Sequence, residues 1–143
     1  MKENRDRGID LILQAEDRGL TGEITTDAGG RTRYGIAEKY NAVAWANGPP
    51  TLDDAKLLYL NGYWIPNGCD DLPYPMDIAV CDCAVNPGPG ACQGILAHNT
   101  DFEQFMRARM RWYCKDVIRN PHLLPNLPGW ILRVLNLWRA LEK

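Results

Sequence analysis

Residues 77–85, reading DIAVCDCAV, constrain this chain more than any other stretch, because they are apolar on every side except at Asp77 and Asp82. A helix with no polar face must be surrounded by other elements, so the segment predicts a core helix over 77–85 with the rest of the fold built around it. At 143 residues the chain is the size of one ordinary domain and is long enough to bury such a hub. We therefore read residues 1–143 as a single domain.

The flanking pattern is helical. Ile9, Ile12 and Leu13 mark the inner face of a first helix over about 4–18, with Gly19 as its left-handed cap. A short helix follows over 37–45, and after the Gly48, Pro49, Pro50 break Thr51 caps another that carries Leu52, Ala55, Leu58 and Tyr59. Thr100 and Glu103 have capping-box spacing before a long helix with Phe102, Phe105, Met106, Arg109, Trp112 and Tyr113 along one face. The last helix opens near Gly129 and turns Trp130, Val134, Trp138 and Leu141 inward, leaving Arg133, Arg139 and Lys143 for solvent. One segment breaks the pattern. Residues 22–36, GEITTDAGGRTRYGI, set β-favouring residues on either side of Asp27, Ala28, Gly29 and Gly30, which predicts a hairpin. The expected fold class is mainly α with one small β-hairpin.

Bulk properties exclude several functions. A net charge of −2 argues against nucleic acid as a partner. No apolar run approaches the length of a membrane span, so no membrane partner is expected. Residues 1–7 are charged and lead into no signal-peptide core, so synthesis in a cytoplasm without a leader is expected. Five cysteines (Cys69, Cys81, Cys83, Cys92, Cys114) are an odd set, read as small core residues rather than a disulfide framework. Neither they nor His98 and His122 have the spacing of a metal site, and no metal or other cofactor is expected.

Chemistry enters at Glu16, which continues the i, i+3, i+4, i+7 line of Ile9, Ile12 and Leu13. Desolvation on that face penalises the charged carboxylate, which suits a general acid near neutral pH. The plainer alternative is a rim carboxylate paired with Arg18 or another base. Glycosidic cleavage needs a protonated acid and a second group across the sugar. Asp27, at the hairpin turn, is the candidate second carboxylate, with Thr32 holding a water and Glu23 as the rival. Asp27 can equally be a turn residue capping the glycine-rich bend.

The order of these segments resembles glycoside hydrolase family 108: the helix acid, DAGGRTRYGI, YLNGYW (59–64), DCAVNPGPGA (82–91) and GWILRV (129–134). The resemblance implies a lysozyme-like helical domain and N-acetylmuramidase activity on bacterial peptidoglycan, of the phage endolysin type. Glu16 then stands at the catalytic glutamate, Asp27 and Thr32 at the downstream Asp and Thr, and Gly30, Tyr34 and Asn86 in segments bordering the sugar groove. Trp64 is a further groove candidate, although a buried anchor for its helix is the preferred reading. The chain departs from the family's Glu-Gly-Gly-aromatic pattern, since Asp17, Arg18, Gly19 and Leu20 follow Glu16. A monomer is expected, and without a leader it would reach the wall by holin-type release or another dedicated export path, which fits a phage endolysin. Carboxyl groups about 6.5–9.5 Å apart would make the enzyme inverting and about 5 Å retaining. The alternatives are a lytic transglycosylase, and a catalytically silent lysozyme-like protein that binds the wall or serves a secretion structure.

Overall fold

The computed structural model describes residues 2–142. Lys143, expected on the solvent side of the last helix, lies outside them. The predicted hub is helix α3 (Met76–Val85), in which every residue from Met76 to Ala84 is buried. It packs against α1 (Arg5–Glu16), α4 (Pro89–Leu96), α5 (Phe102–Arg119) and the turns at 60–64 and 69–71. Its two acids are both satisfied. Asp77, near the helix start, accepts hydrogen bonds from Asn4 Nδ2 at 2.7 Å and the Ile78 backbone N–H at 2.8 Å. Asp82 is met by two arginines.

Helix α1 buries Gly8, Ile9, Ile12 and Leu13. It stops at Glu16, earlier than expected, because Asp17 turns extended and its carboxylate accepts from the backbone N–H groups of Thr21 (3.3 Å) and Gly22 (2.8 Å). The stretch that departs from the family pattern is thus a turn tied down by Asp17. Helix α2 (Leu52–Tyr59) starts at Thr51 with a reciprocal capping box: Thr51 Oγ1 accepts from Asp54 N–H, and the Asp54 carboxylate from Thr51 N–H. A wider helical turn, Leu60–Trp64, continues it.

The hairpin forms where expected, from β1 (Thr25–Asp27) and β2 (Gly30–Arg33), and a third strand, β3 (Ile36–Ala37), extends it into an antiparallel meander. Two residues are too short for an alternation pattern to announce. The helix expected over 37–45 is replaced by β3, a 3-10 turn (Glu38–Tyr40) and further turns. Trp45 explains the difference. It is buried against the sheet, its indole N–H donates to the Ile36 carbonyl at 3.1 Å, and the Arg31 guanidinium covers its ring at 4.8 Å.

Helix α5 is capped by Asp101 rather than Thr100, with Asp101 Oδ1 accepting from Gln104 N–H at 3.1 Å. Helix α6 (Leu127–Leu141) begins two residues before Gly129, with Pro128 in its first turn, where a missing N–H costs nothing. It closes on α5 through the stacked rings of Tyr113 and Trp130 and an edge contact of Phe102 with Trp138. Four cysteines, Cys69, Cys81, Cys83 and Cys92, are core residues, whereas Cys114 is exposed on α5.

Gly8 admits the buried Trp64 ring, since a Cβ there would lie 2.7 Å from Trp64 Cζ3 and 3.2 Å from Ile78 Cγ1. In an open helix Gly8→Ala would stabilise by up to about 1 kcal/mol. Here overpacking of about 1–3 kcal/mol outweighs that gain. The expected outcome is a lower midpoint in urea denaturation, and an unchanged or higher midpoint would refute the packing account.

Candidate active site

Glu16, the last residue of α1, has a side chain that is 20% exposed. Its partner is not Arg18, which is exposed, but Arg133 on α6, whose Nη1 donates to Glu16 Oε1 at 2.6 Å. The contact matches the plainer alternative of a carboxylate paired with a base other than Arg18, and it corrects the placement of Arg133 on the solvent side. Arg133 is only 10% exposed because it also donates to Asp82 Oδ1 from Nη2 at 2.8 Å and from Nε at 3.2 Å. Asp82 Oδ2 lies 2.8 Å from Nη1 of Arg109, which is wholly buried on α5. Arg109 and Tyr113 both donate to the Asn86 carbonyl, and the Tyr113 hydroxyl lies 2.7 Å from Asn86 Oδ1.

Four alternating charges therefore run from the core to the surface, Arg109, Asp82, Arg133 and Glu16, with exposure rising outward. Burial works against the Asp82 charge, yet the charges and hydrogen bonds of Arg133 and Arg109 hold its carboxyl below the usual 3.8. Burial likewise opposes the charge on Arg133 and on Arg109, and their anionic neighbours more than offset it, raising both. Tyr113 is pushed up to about 12, chiefly by burial.

The other oxygen of Glu16, Oε2, accepts no hydrogen bond among the described residues and faces the loop between β2 and β3. Arg33 pairs with Ile36, so Tyr34 and Gly35 form a two-residue hairpin loop, and both have positive φ (+52° and +77°), as a type I′ turn requires. Tyr59 on α2 donates its hydroxyl to the Tyr34 carbonyl at 2.7 Å and so fixes this turn over the carboxylate. Burial, then the Glu16 charge, raises the Tyr59 phenol, and the same two causes raise Tyr63. A Cβ on Gly35 would sit 2.6 Å from both Glu16 Oε2 and the Tyr59 hydroxyl. Gly35 is exposed, but the space its missing side chain leaves is filled by the Glu16 carboxyl group and the Tyr59 hydroxyl.

The other candidates are spread along the hairpin and beyond. Thr32, half-buried in the middle strand, pairs with Thr25 and Ala37. Asp27 is exposed at the far end, opposite Gly30, and its Oδ1 accepts from the Gly29 N–H at 2.8 Å. Four residues of strand, about 13 Å, separate Gly30 from Tyr34. Glu23 is exposed. Tyr34 is buried, with the Arg33 guanidinium 5.2 Å from its ring centroid. Trp64 is fully buried and donates its indole N–H to Asp70, so it is an anchor beneath α1 and is not on a groove. Asn86 is bound into the Arg109–Tyr113 cluster. A cleft of about 490 Å³ between α1 and α6 has Arg133 in its wall but not Glu16, whose Oε2 lies on the hairpin side.

Residues 9–88, more than half of the chain, match the family described as Glycosyl hydrolase 108. The chain belongs to that family. No curated protein and no solved structure matches the chain. Membership in glycosyl hydrolase 108 carries a lysozyme-like, wall-degrading glycoside hydrolase function in general terms, and the helical architecture with its small sheet accords with it. The matched region holds Glu16, the hairpin, Asp82 and Asn86, whereas Arg109 and Arg133 come from the part of the chain beyond it.

Sequence reasoning missed Arg133, Asp82, Tyr59 and Gly35. The signals were present: a lone Asp in the middle of an apolar helix demands a buried cation, and Arg133 is three residues from Trp130 and four from Leu137 on the inward stripe of α6.

Removing the Asp82 charge leaves two arginines without their shared anion. Asp82→Asn should cost about 3–5 kcal/mol at neutral pH, measured by urea denaturation. Because the folded value of Asp82 lies below 3.8, its stabilisation is complete above about pH 4 and disappears as pH falls through that depressed value. Wild type and Asp82→Asn should therefore converge in stability as the solution is acidified, and parallel curves would exclude Asp82 as the cause. Gly35→Ala should lower stability by at least about 1–2 kcal/mol from left-handed strain alone, and displacement of Glu16 should reduce activity further.

Proposed function

We propose that this glycosyl hydrolase is an N-acetylmuramidase that cleaves the β-1,4 bond between N-acetylmuramic acid and N-acetylglucosamine in peptidoglycan, with Glu16 as general acid. The observation that carries this reading is the division of labour within one carboxyl group. Oε1 is anchored to Arg133, and Oε2, which accepts no hydrogen bond among the described residues, lies against the exposed Gly35 on a side chain that is 20% exposed. A glycosidic oxygen seated over Gly35 would meet Oε2. Arg133, itself held by Asp82, is the positioning residue that keeps the carboxyl group from rotating away.

An ion-paired carboxylate must take up a proton before it can give one. A glycan strand lying on Oε2 would exclude water from that side of the carboxyl group. Asp27 and Thr32 are assigned the far side of the sugar, where an ionised carboxylate and a hydroxyl position water. The backbone span of about 13 Å between the Asp27 end of β2 and the Tyr34–Gly35 turn exceeds the carboxyl separation of either route, so it does not choose between inversion and retention. Gly30 and Tyr34 belong to the same sugar-facing hairpin in this reading. A place among phage endolysins, with release to the wall by a holin, rests on the family resemblance.

A lytic transglycosylase is the second reading, favoured by one observation: Asp27 is exposed and already engaged in capping its own turn. Such an enzyme needs the acid but not a second carboxylate. Anhydro ends in the products, with activity retained in Asp27→Asn, would replace hydrolysis by this alternative. Reducing ends and a strong loss in Asp27→Asn support the hydrolase.

The decisive variant is Glu16→Gln, which preserves shape, and Arg133 keeps Asp82 as its partner, so the fold should survive by circular dichroism. Release of reducing sugar from purified peptidoglycan should fall at least ~100-fold. Undiminished lysis by folded Glu16→Gln would end the assignment.

A further inference from the structure

Helix α5 has a second face that the candidate site does not use. Its inner side buries Phe105, Met106, Arg109, Tyr113 and Val117. Its outer side carries Arg107, Arg111, Lys115 and Arg119, all exposed and four residues apart. Arg107 is paired with Glu103, and Asp116, the nearby acid, is held by Asn120. Arg111, Lys115 and Arg119 have no carboxylate partner among the described residues. A chain with net charge −2 therefore concentrates unneutralised positive charge on one helix face.

The cations are interleaved with apolar groups. A shallow cleft of about 380 Å³ is lined by Arg107, Met110, Arg111, Cys114 and Lys115. One turn further on, Ile118 is 76% exposed, and Leu124, just past the helix, is 58% exposed. Basic residues flanking exposed apolar ones on one helix face match the chemistry of a bilayer surface, where phosphates lie above the start of the acyl region.

We propose that this outer face of α5 docks the protein on an anionic phospholipid surface. Phosphate headgroups pair with Arg111, Lys115 and Arg119, and Ile118 enters the headgroup boundary. A glycan polymer would answer the charge but offers nothing apolar to cover Ile118. A second copy of the chain would set two positive faces against each other. No helix among the described residues is long and apolar enough to cross a membrane, and lying on a surface asks only for one face. Arg107 and Arg111 are two residues either side of Arg109, about 200° around the helix from it. Docking therefore leaves the Arg109 side of α5, and with it the Glu16 site, uncovered. The inference does not depend on the muramidase reading.

The test is cosedimentation with phosphatidylcholine vesicles, with and without phosphatidylglycerol. Wild type should partition onto the phosphatidylglycerol vesicles only, and less so as salt is raised. The double variant Arg111→Glu, Lys115→Glu should reduce partitioning about tenfold or more. Ile118→Asn should weaken the fraction that resists salt. Glu16→Gln should bind vesicles like wild type, and the double variant should digest lipid-free peptidoglycan at the wild-type rate, which separates this proposal from the catalytic one. Failure of wild type to bind, equal binding by the double variant, or loss of sedimentation with lipid-free peptidoglycan in that variant would each overturn the assignment to lipid.

Discussion

Asp82 sits where water does not reach, so its charge has to be balanced by neighbours, and the neighbours it uses come from two other helices. Arg109 arrives from α5 and Arg133 from α6, and both are tied to α3 by a carboxylate that neither could lose without being left as a buried cation. A pair of this kind is a weak source of net stability compared with a well-packed apolar substitute, but breaking it is costly. Its effect is to fix where α6 lies relative to α1. Because Arg133 also reaches Glu16, the same constraint that organises the helices sets the position of the carboxylate at the surface.

The hairpin arrives at Glu16 by a different route. Tyr34 and Gly35 adopt left-handed conformations in a tight loop, and the Tyr59 hydroxyl from α2 holds the loop by its carbonyl. Only a glycine fits at position 35, since any side chain would occupy the space of the carboxylate and the phenol. The result is a carboxyl group braced from the helical side by an arginine and packed closely against Gly35 on the sheet side. A strained, non-glycine residue such as Tyr34 at a positive φ is the kind of local cost that surrounding contacts sustain at functional positions.

Family membership and geometry bear on different parts of this arrangement. The match over residues 9–88 spans the acid, the hairpin and the core helix, yet the acid is oriented by an arginine that lies well outside that region. Orientation of Glu16 is thus a property of the whole chain, and α6 is part of the site as well as a lid on the core.

Much of this was legible in one dimension. The apolar run at 77–85 identified the core helix, the glycine-rich turn between β-favouring residues identified the hairpin, and the heptad-like line through Ile9, Ile12 and Leu13 singled out Glu16, because periodicity and turn chemistry are local properties. What the sequence left open were partners distant along the chain: that Glu16 would meet Arg133 rather than Arg18, that Trp45 would draw residues 37–45 onto the sheet in place of a helix, that Trp64 would vanish beneath Gly8, and that Asp82 would gather two arginines. Those contacts join residues separated by up to 117 positions, and only packing around α3 decides which of the available cations and rings can reach a given acid or cavity.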